Sequence, residues 1–180
     1  MTAPVVHLRK YRPDEGQLLS SWIASPTELV TWSGRAFVWP LDERQLAAYA
    51  AESEGPGRRS WTGIDSGTGQ EVGHVSLRLD VEGVEARLGR VLVAPEARGR
   101  GVGAGMLGEV LSLAFGALAF QSVELGVFSH NTSALRLYER LGFQVTEVLP
   151  DVERVNGRPW SATQMLLTKT DWVRGGVDGG

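Results

Sequence analysis

Residues 98–105 run RGRGVGAG, with glycines at every second position from 99 to 105 and arginines at 98 and 100. Glycine lets the backbone approach a ligand closely and take positive φ without strain. Such a loop running into a helix presents unpaired N–H groups and the positive end of the helix dipole, which together attract an anion. Arg98 and Arg100 add charge beside it. The stretch is built to hold an anion, phosphate above all, close to the main chain.

Three phosphate-binding patterns compete for it. The P-loop requires G-x-x-x-x-G-K-[ST], and the lysines of this chain are Lys10 and Lys169, both far from the run. The dinucleotide fingerprint matches by letter at Gly103, Gly105 and Gly108, with Glu124 downstream. That fingerprint has to start at the end of a strand, whereas Gly105 and Gly108 lie inside a helical apolar pattern and Glu124 lies within a strand pattern. The third pattern, Arg98-x-x-Gly101-x-Gly103, fits both the letters and the strand-to-helix context.

The elements that must position this loop follow from periodicity. VVHLRKY (5–11) alternates as a strand, and Pro13 opens a helix to about residue 24, with Leu18, Leu19, Trp22 and Ile23 on its apolar face. A second helix follows Pro40, and GPG (55–57) ends it. RRSWTGID (58–65) and EVGHVSLRLD (71–80) form a hairpin around SGTGQ, and EARLGRVLVAP (85–95) is a strand stopped by Pro95. The glycine run then leads into an apolar helix reaching about Phe120. SVELGVF (122–128) is a strand, Asn131 caps a helix over TSALRLYERL, and Gly142 sits at its C′ position. FQVTEVLP and WSATQMLLT close the chain as strands, and residues 174–180 are expected to fray. The order indicates a mixed α/β sheet with helices on both faces, in one domain over residues 1–173.

Composition narrows the function. The chain of 180 residues carries a net charge of −3, which argues against nucleic-acid or membrane binding through a globally basic surface. With no cysteine it forms neither disulfides nor thiolate metal sites, and no metal is expected. The N-terminal residues show no signal-peptide pattern, so a cytoplasmic location is expected. Residues 101–120 are long enough to span a bilayer, but the glycines and the central Glu109 favour a buried helix.

VLVAPEARGRGVGAGML (91–107) resembles the strand, loop and helix of the GCN5-related N-acetyltransferase (GNAT) superfamily. HNTSALRLYERLGF (130–143) resembles that family's second signature, N-x-x-A-x-x-L-Y-x-x-L-G-F. PL at 40–41, TG at 68–69 and VG at 72–73 are similar to the branch that acetylates ribosomal-protein N-termini and polyamines. The resemblance, strongest over residues 72–149, implies a mostly antiparallel sheet that splays open to admit acetyl-CoA. It implies that residues 98–104 (Arg98, Gly99, Arg100, Gly101, Val102, Gly103 and Ala104) hold the pyrophosphate of coenzyme A. Val91, Leu92 and Val93 would pair with the pantetheine arm, one of their amides facing the thioester carbonyl. Asn131 and Ser133 would contact the cofactor, and Asn131 has an equally good role as a helix cap. Tyr138 would contact the cofactor and protonate the leaving thiolate; the other reading of its helical spacing is a core aromatic.

The chain departs from the family in one place. Ribosomal-protein acetyltransferases often carry a Glu twelve residues before the tyrosine, and here that position is Gly126. Glu85 is the substitute base expected on the preceding strand, or else a solvated edge carboxylate. Trp22, Trp32 and Trp39 fall where the superfamily builds its acceptor pocket, with aromatic faces suited to an ammonium group. The expected function is direct transfer of acetyl to a small-molecule or peptide amine, by a monomer or homodimer. The alternative is a non-catalytic acyl-CoA-binding or regulatory module.

Overall fold

The structure, a computed structural model, describes residues 4–80 and 82–177. The strands are β1 (Val6–Lys10), β2 (Arg58–Asp65), β3 (Glu71–Leu79), β4 (Glu85–Val93), β5 (Ser122–Phe128), β6 (Gln144–Val155) and β7 (Arg158–Thr168). They form one sheet in the order β1-β2-β3-β4-β5-β7-β6, and every pairing is antiparallel except β4 with β5. The helices are α1 (Gly16–Ser21), α2 (Pro26–Ser33), α3 (Glu43–Glu54), α4 (Val102–Phe115), α5 (Thr132–Arg140) and α6 (Lys169–Val177). The mixed α/β sheet expected from the sequence is present.

Sequence and structure differ at several elements. The helix expected from Pro13 to residue 24 is a 3-10 turn, Pro13–Glu15, followed by the short α1. α2 has no counterpart in the periodicity: it is two turns long, and only Leu29 and Trp32 are buried, too few to register as a pattern. The apolar helix ends at Phe115, where Gly116 breaks it. The expected tail from residue 174 overlaps the last residues of α6, which runs to Val177; residues 178–180 lie outside the described residues.

Strand alternation divides the sheet into two faces. On one, α4 packs with Met106, Leu107, Val110, Leu111 and Ala114 wholly inaccessible, while Glu109 points to solvent. A side chain at Gly73 would begin 3.0 Å from Met106 Sδ, so Gly73, Val75 and Leu77 face α4. Fourteen residues of helix span about 21 Å, short of a bilayer core. Among the described residues no helix is long and apolar enough to cross a membrane.

The other face of β3, with His74, Ser76 and Arg78, looks toward α3. There Tyr49 Oη lies 2.7 Å from His74 Nε2 and 2.9 Å from Ser60 Oγ, and Ser53 Oγ lies 2.8 Å from Ser60 Oγ. The network satisfies polar groups that would otherwise be costly to bury. Burial, then the Arg90 and Arg58 charges, push the His74 pKa down to about 3, so the ring is neutral.

Bulges interrupt the β2–β3 and β6–β7 pairings, but the strands part only at the centre of the sheet. β4 and β5 pair only between Glu85–Arg87 and Ser122–Glu124, after which they part. On its other side β4 bulges against β3, where the register shifts between His74 and Ser76 and Arg90 takes φ 52°. A bulge bends its strand and increases the local twist, which turns β4 away from β5.

Candidate active site

The parted halves of β4 and β5 form the walls of a cavity of about 940 Å³. The glycine run closes one end. A 3-10 turn, Pro95–Ala97, leads into Gly99 (φ 72°) and Gly101 (φ 84°), which is the N-cap of α4. No side chain caps this helix, and its first turn closes with Gly105 N–H donating to the Gly101 carbonyl. The N–H groups of Val102, Gly103 and Ala104 are therefore left for an external acceptor. Gly103 admits the close approach of α5: a Cβ there would lie 3.2 Å from Leu137 Cδ2. Arg98 lines the cavity and donates from Nε to the Val93 carbonyl at 3.2 Å.

These features fit coenzyme A. Uncapped N–H groups suit its pyrophosphate, and the unpaired edges of the splay suit the amides of its pantetheine arm. Val91, Val93, Gly99, Val102 and Ala104 line the same cavity. Leu92 does not; it pairs across the bulge with His74. The Arg100 side chain also lies elsewhere, 3.9 Å from Asp65. Asn131 and Ser133 line the cavity, and the Asn131 carboxamide accepts from Ala134 N–H at 3.3 Å and Ser133 Oγ at 3.1 Å. Its capping role is therefore present alongside a position at the cavity.

Tyr138 reaches the cavity from α5. Its ring packs edge-on to Phe143, with centroids 5.8 Å apart. Burial pushes its pKa up to about 12, and its hydroxyl makes no hydrogen bond among the described residues. The two readings of this residue merge: the ring is buried, and the hydroxyl is a protonated donor beside the cavity.

The structure does not bring Glu85 to this site. It is exposed at the N-terminal end of β4, where the sheet is still paired, and accepts from Ser122 Oγ at 3.3 Å. The strand runs on from there before the splay opens, so this carboxylate is on the wrong end to serve as base. Of the three tryptophans, only Trp32 lines the cavity, stacked on Phe37 with centroids 5.3 Å apart. Trp22 is in the core and Trp39 is 42% exposed, and neither lines the cavity.

Sequence reasoning missed a group of arginines. Register aligns Arg58 of β2 with Arg78 of β3, and Arg78 with Arg87 of β4. All three line the cavity, as does Arg90 at the bulge, its guanidinium 4.4 Å from the Tyr49 ring centroid and 5.0 Å from that of Phe37. Arg58 donates to Glu52 at 2.8 Å and to Ser76 Oγ at 2.9 Å, and Arg90 lies 3.5 Å from Glu52. Burial raises the Glu52 carboxyl, but the Arg58 hydrogen bond and the two positive charges outweigh it and hold the group below its ordinary value. Arg87 donates to Glu124 at 2.9 Å and to Gln164 at 3.1 Å. Its guanidinium lies over Gly126, where a Cβ would be 2.9 Å from Nη2. The position at which related enzymes often carry a carboxylate is therefore covered by a cation. The sequence signal was present as arginines inside strand patterns, but which of them share a face depends on register.

Over the cavity, Arg35, after α2, grips Glu153 of β6 with Nε–Oε2 at 2.6 Å. The bond holds the Glu153 carboxyl below its usual range. This is the cavity's one carboxylate side chain among the described residues, and it is already engaged.

This fold and this site define an acyl-CoA-dependent transferase, and the comparisons with known proteins agree. The family model described as "Acetyltransferase (GNAT) family" matches residues 26–143. The chain belongs to the GNAT acetyltransferase family, whose members use acetyl-CoA. A protein of Bacillus subtilis (strain 168), YwnH, provisionally named a phosphinothricin acetyltransferase, is 25% identical over 141 residues, covering 78% of this chain and 80% of that one. A spermidine N-acetyltransferase from Vibrio cholerae, solved in complex with CoA and spermine, superposes with a TM-score of 0.82 at 18% identity, covering 94% of this chain and 98% of that one. A chimera of the Vibrio cholerae enzyme SpeG with hSSAT gives a TM-score of 0.79 at 19% identity over 94% and 98%.

Proposed function

We propose that this protein is an N-acetyltransferase that moves the acetyl group of acetyl-CoA directly to a primary amine within a ternary complex, in the cytoplasm. The observation that carries the reading is Tyr138. It offers a protonated hydroxyl without a protein partner, in the cavity that also holds the uncapped start of α4 and the free edge of β4.

Bound acetyl-CoA supplies an activated acetyl thioester. Residues 98–104 hold its phosphates through main-chain N–H groups, with Arg98 alongside, and Asn131 and Ser133 flank the arm. The β5-facing amides of Val91–Val93 orient the arm and hold the acyl oxygen, where negative charge gathers during transfer. With the thioester bound, Tyr138 Oη, protonated at neutral pH, would give its proton to the departing sulfur and be reprotonated by the proton that the newly acylated nitrogen loses.

The amine must be neutral when it attacks. No free carboxylate reaches the cavity among the described residues, and none is required. The guanidinium groups of Arg58, Arg78, Arg87 and Arg90 disfavour a further positive charge, so an ammonium placed among them loses its proton more readily than in water. Water carries that proton away.

The test is CoA release from acetyl-CoA against pooled amines, with mass spectrometry of each pool. A pool that releases thiol and gains one acetyl group identifies the acceptor. Tight CoA binding without acetylation of any pool would leave a binding module as the better description.

A further inference from the structure

On the acetyl-transfer reading, we infer that the acceptor is a primary amine that also carries an oxyanion, a carboxylate or phosphorus oxyacid, held by Arg78 and Arg87.

The sheet register sets Arg58, Arg78 and Arg87 in one row across β2, β3 and β4, and the bulge adds Arg90. Like charges on facing strands repel, so such a row is costly without counter-charge. The carboxylates in contact with it are Glu52 and Glu124. Four guanidiniums against two carboxylates leave two positive charges uncompensated, in a chain whose net charge is −3. Arg78 has no ion pair or hydrogen bond among the described residues and lines the cavity. Arg87 is held in place by Glu124 and Gln164, with its guanidinium over Gly126. A rigid guanidinium beside a free one is an arrangement suited to a planar or tetrahedral oxyanion.

The row lines the same cavity as the phosphate cradle but from the other face of the sheet. Gly73, Val75 and Leu77 face α4, so Arg78 and its row project from the opposite face of the sheet. The surplus charge therefore belongs to the acceptor side. A polyamine would bring further cations to it, whereas an acidic amine supplies the missing anion.

The experiment compares 2-aminoethylphosphonate, L-glutamate and L-methionine with spermidine and phenethylamine as acceptors. It reads kcat/KM, product mass, and calorimetric binding to the CoA-saturated protein. Acidic amines should exceed spermidine and phenethylamine by at least about tenfold in kcat/KM. Arg78→Gln should reduce that ratio by about 10- to 100-fold, and Arg78→Lys should recover part of it. The Arg78 side chain is exposed and makes no hydrogen bond or ion pair among the described residues, so the melting temperature of each variant serves as a control. Preference for spermidine or phenethylamine overturns the inference, as does a ratio unchanged in Arg78→Gln. A tenfold loss of CoA affinity in that variant also overturns it, since the row would then serve the cofactor. If CoA binds but no amine is acetylated, the transfer reading fails and calorimetry decides the oxyanion separately. Heat with 2-aminoethylphosphonate and not with spermidine upholds it; heat with neither, or with spermidine, removes it.

Discussion

At the scale of single residues, the site depends on where protons are held. Tyr138 is kept protonated by burial, with a pKa pushed up to about 12, so it is a donor over the whole neutral range. Tyr138→Phe removes one oxygen and leaves the ring packed against Phe143. Turnover should fall by roughly 10- to 10⁴-fold with CoA affinity retained, as calorimetry and initial rates will measure. The wild-type rate should show no alkaline decline below about pH 10, because the acid does not ionise there. Gly126 explains the missing base at the same scale. A Cβ at that position would lie 2.9 Å from Arg87 Nη2, so a side chain there would have to displace the guanidinium that now covers it.

Among the elements, the junction of β4 with α4 carries the most function in the fewest residues. The bulge at Arg90 turns β4 out of the sheet, and the left-handed Gly101 aims the first turn of α4 at the gap. Gly101→Ala places a Cβ at φ 84°, which costs about 1–2 kcal/mol. The melting temperature should drop by about 2–8 °C, and CoA should bind more weakly. Gly69→Ala strains a comparable φ of 73° in the β2–β3 turn, away from the cavity. It should lower the melting temperature without changing CoA affinity. If both variants bind CoA equally well, the helix start is not the phosphate site. These elements were legible in the sequence because punctuation marks them: Pro95 ends a strand, glycines open a helix, and Asn131 caps another. α2 and α6 were not legible. Each is short, and each derives its stability from tertiary contacts that no local pattern announces.

The molecule as a whole rests on one apolar core that includes residues of both α3 and α4, and between α3 and the sheet it encloses a buried polar network. That network makes stability depend on pH. His74 has a folded pKa of about 3 against 6.5 when unfolded, so its contribution is present above pH 6.5 and is lost as pH falls toward 3. Between pH 7 and 5.5, before ordinary carboxylates titrate, urea denaturation should show stability falling by up to about 1 kcal/mol per pH unit. His74→Gln should flatten that slope; an unchanged slope would show that His74 is charged or exposed in solution. The sequence by itself determined the mixed α/β class, the glycine run that opens α4 and the helix that carries Tyr138, because each is written in consecutive residues with local periodicity or punctuation. Only the tertiary structure decided the rest. It placed Glu85 at the closed end of β4, kept Trp22 and Trp39 out of the cavity lining, and gathered Arg58, Arg78, Arg87 and Arg90 into one charged wall. Those residues come from three strands separated by turns, and a shift of one residue in register would point them at the opposite face. The charge that selects a substrate is therefore a property of strand pairing, fixed only when the chain has folded.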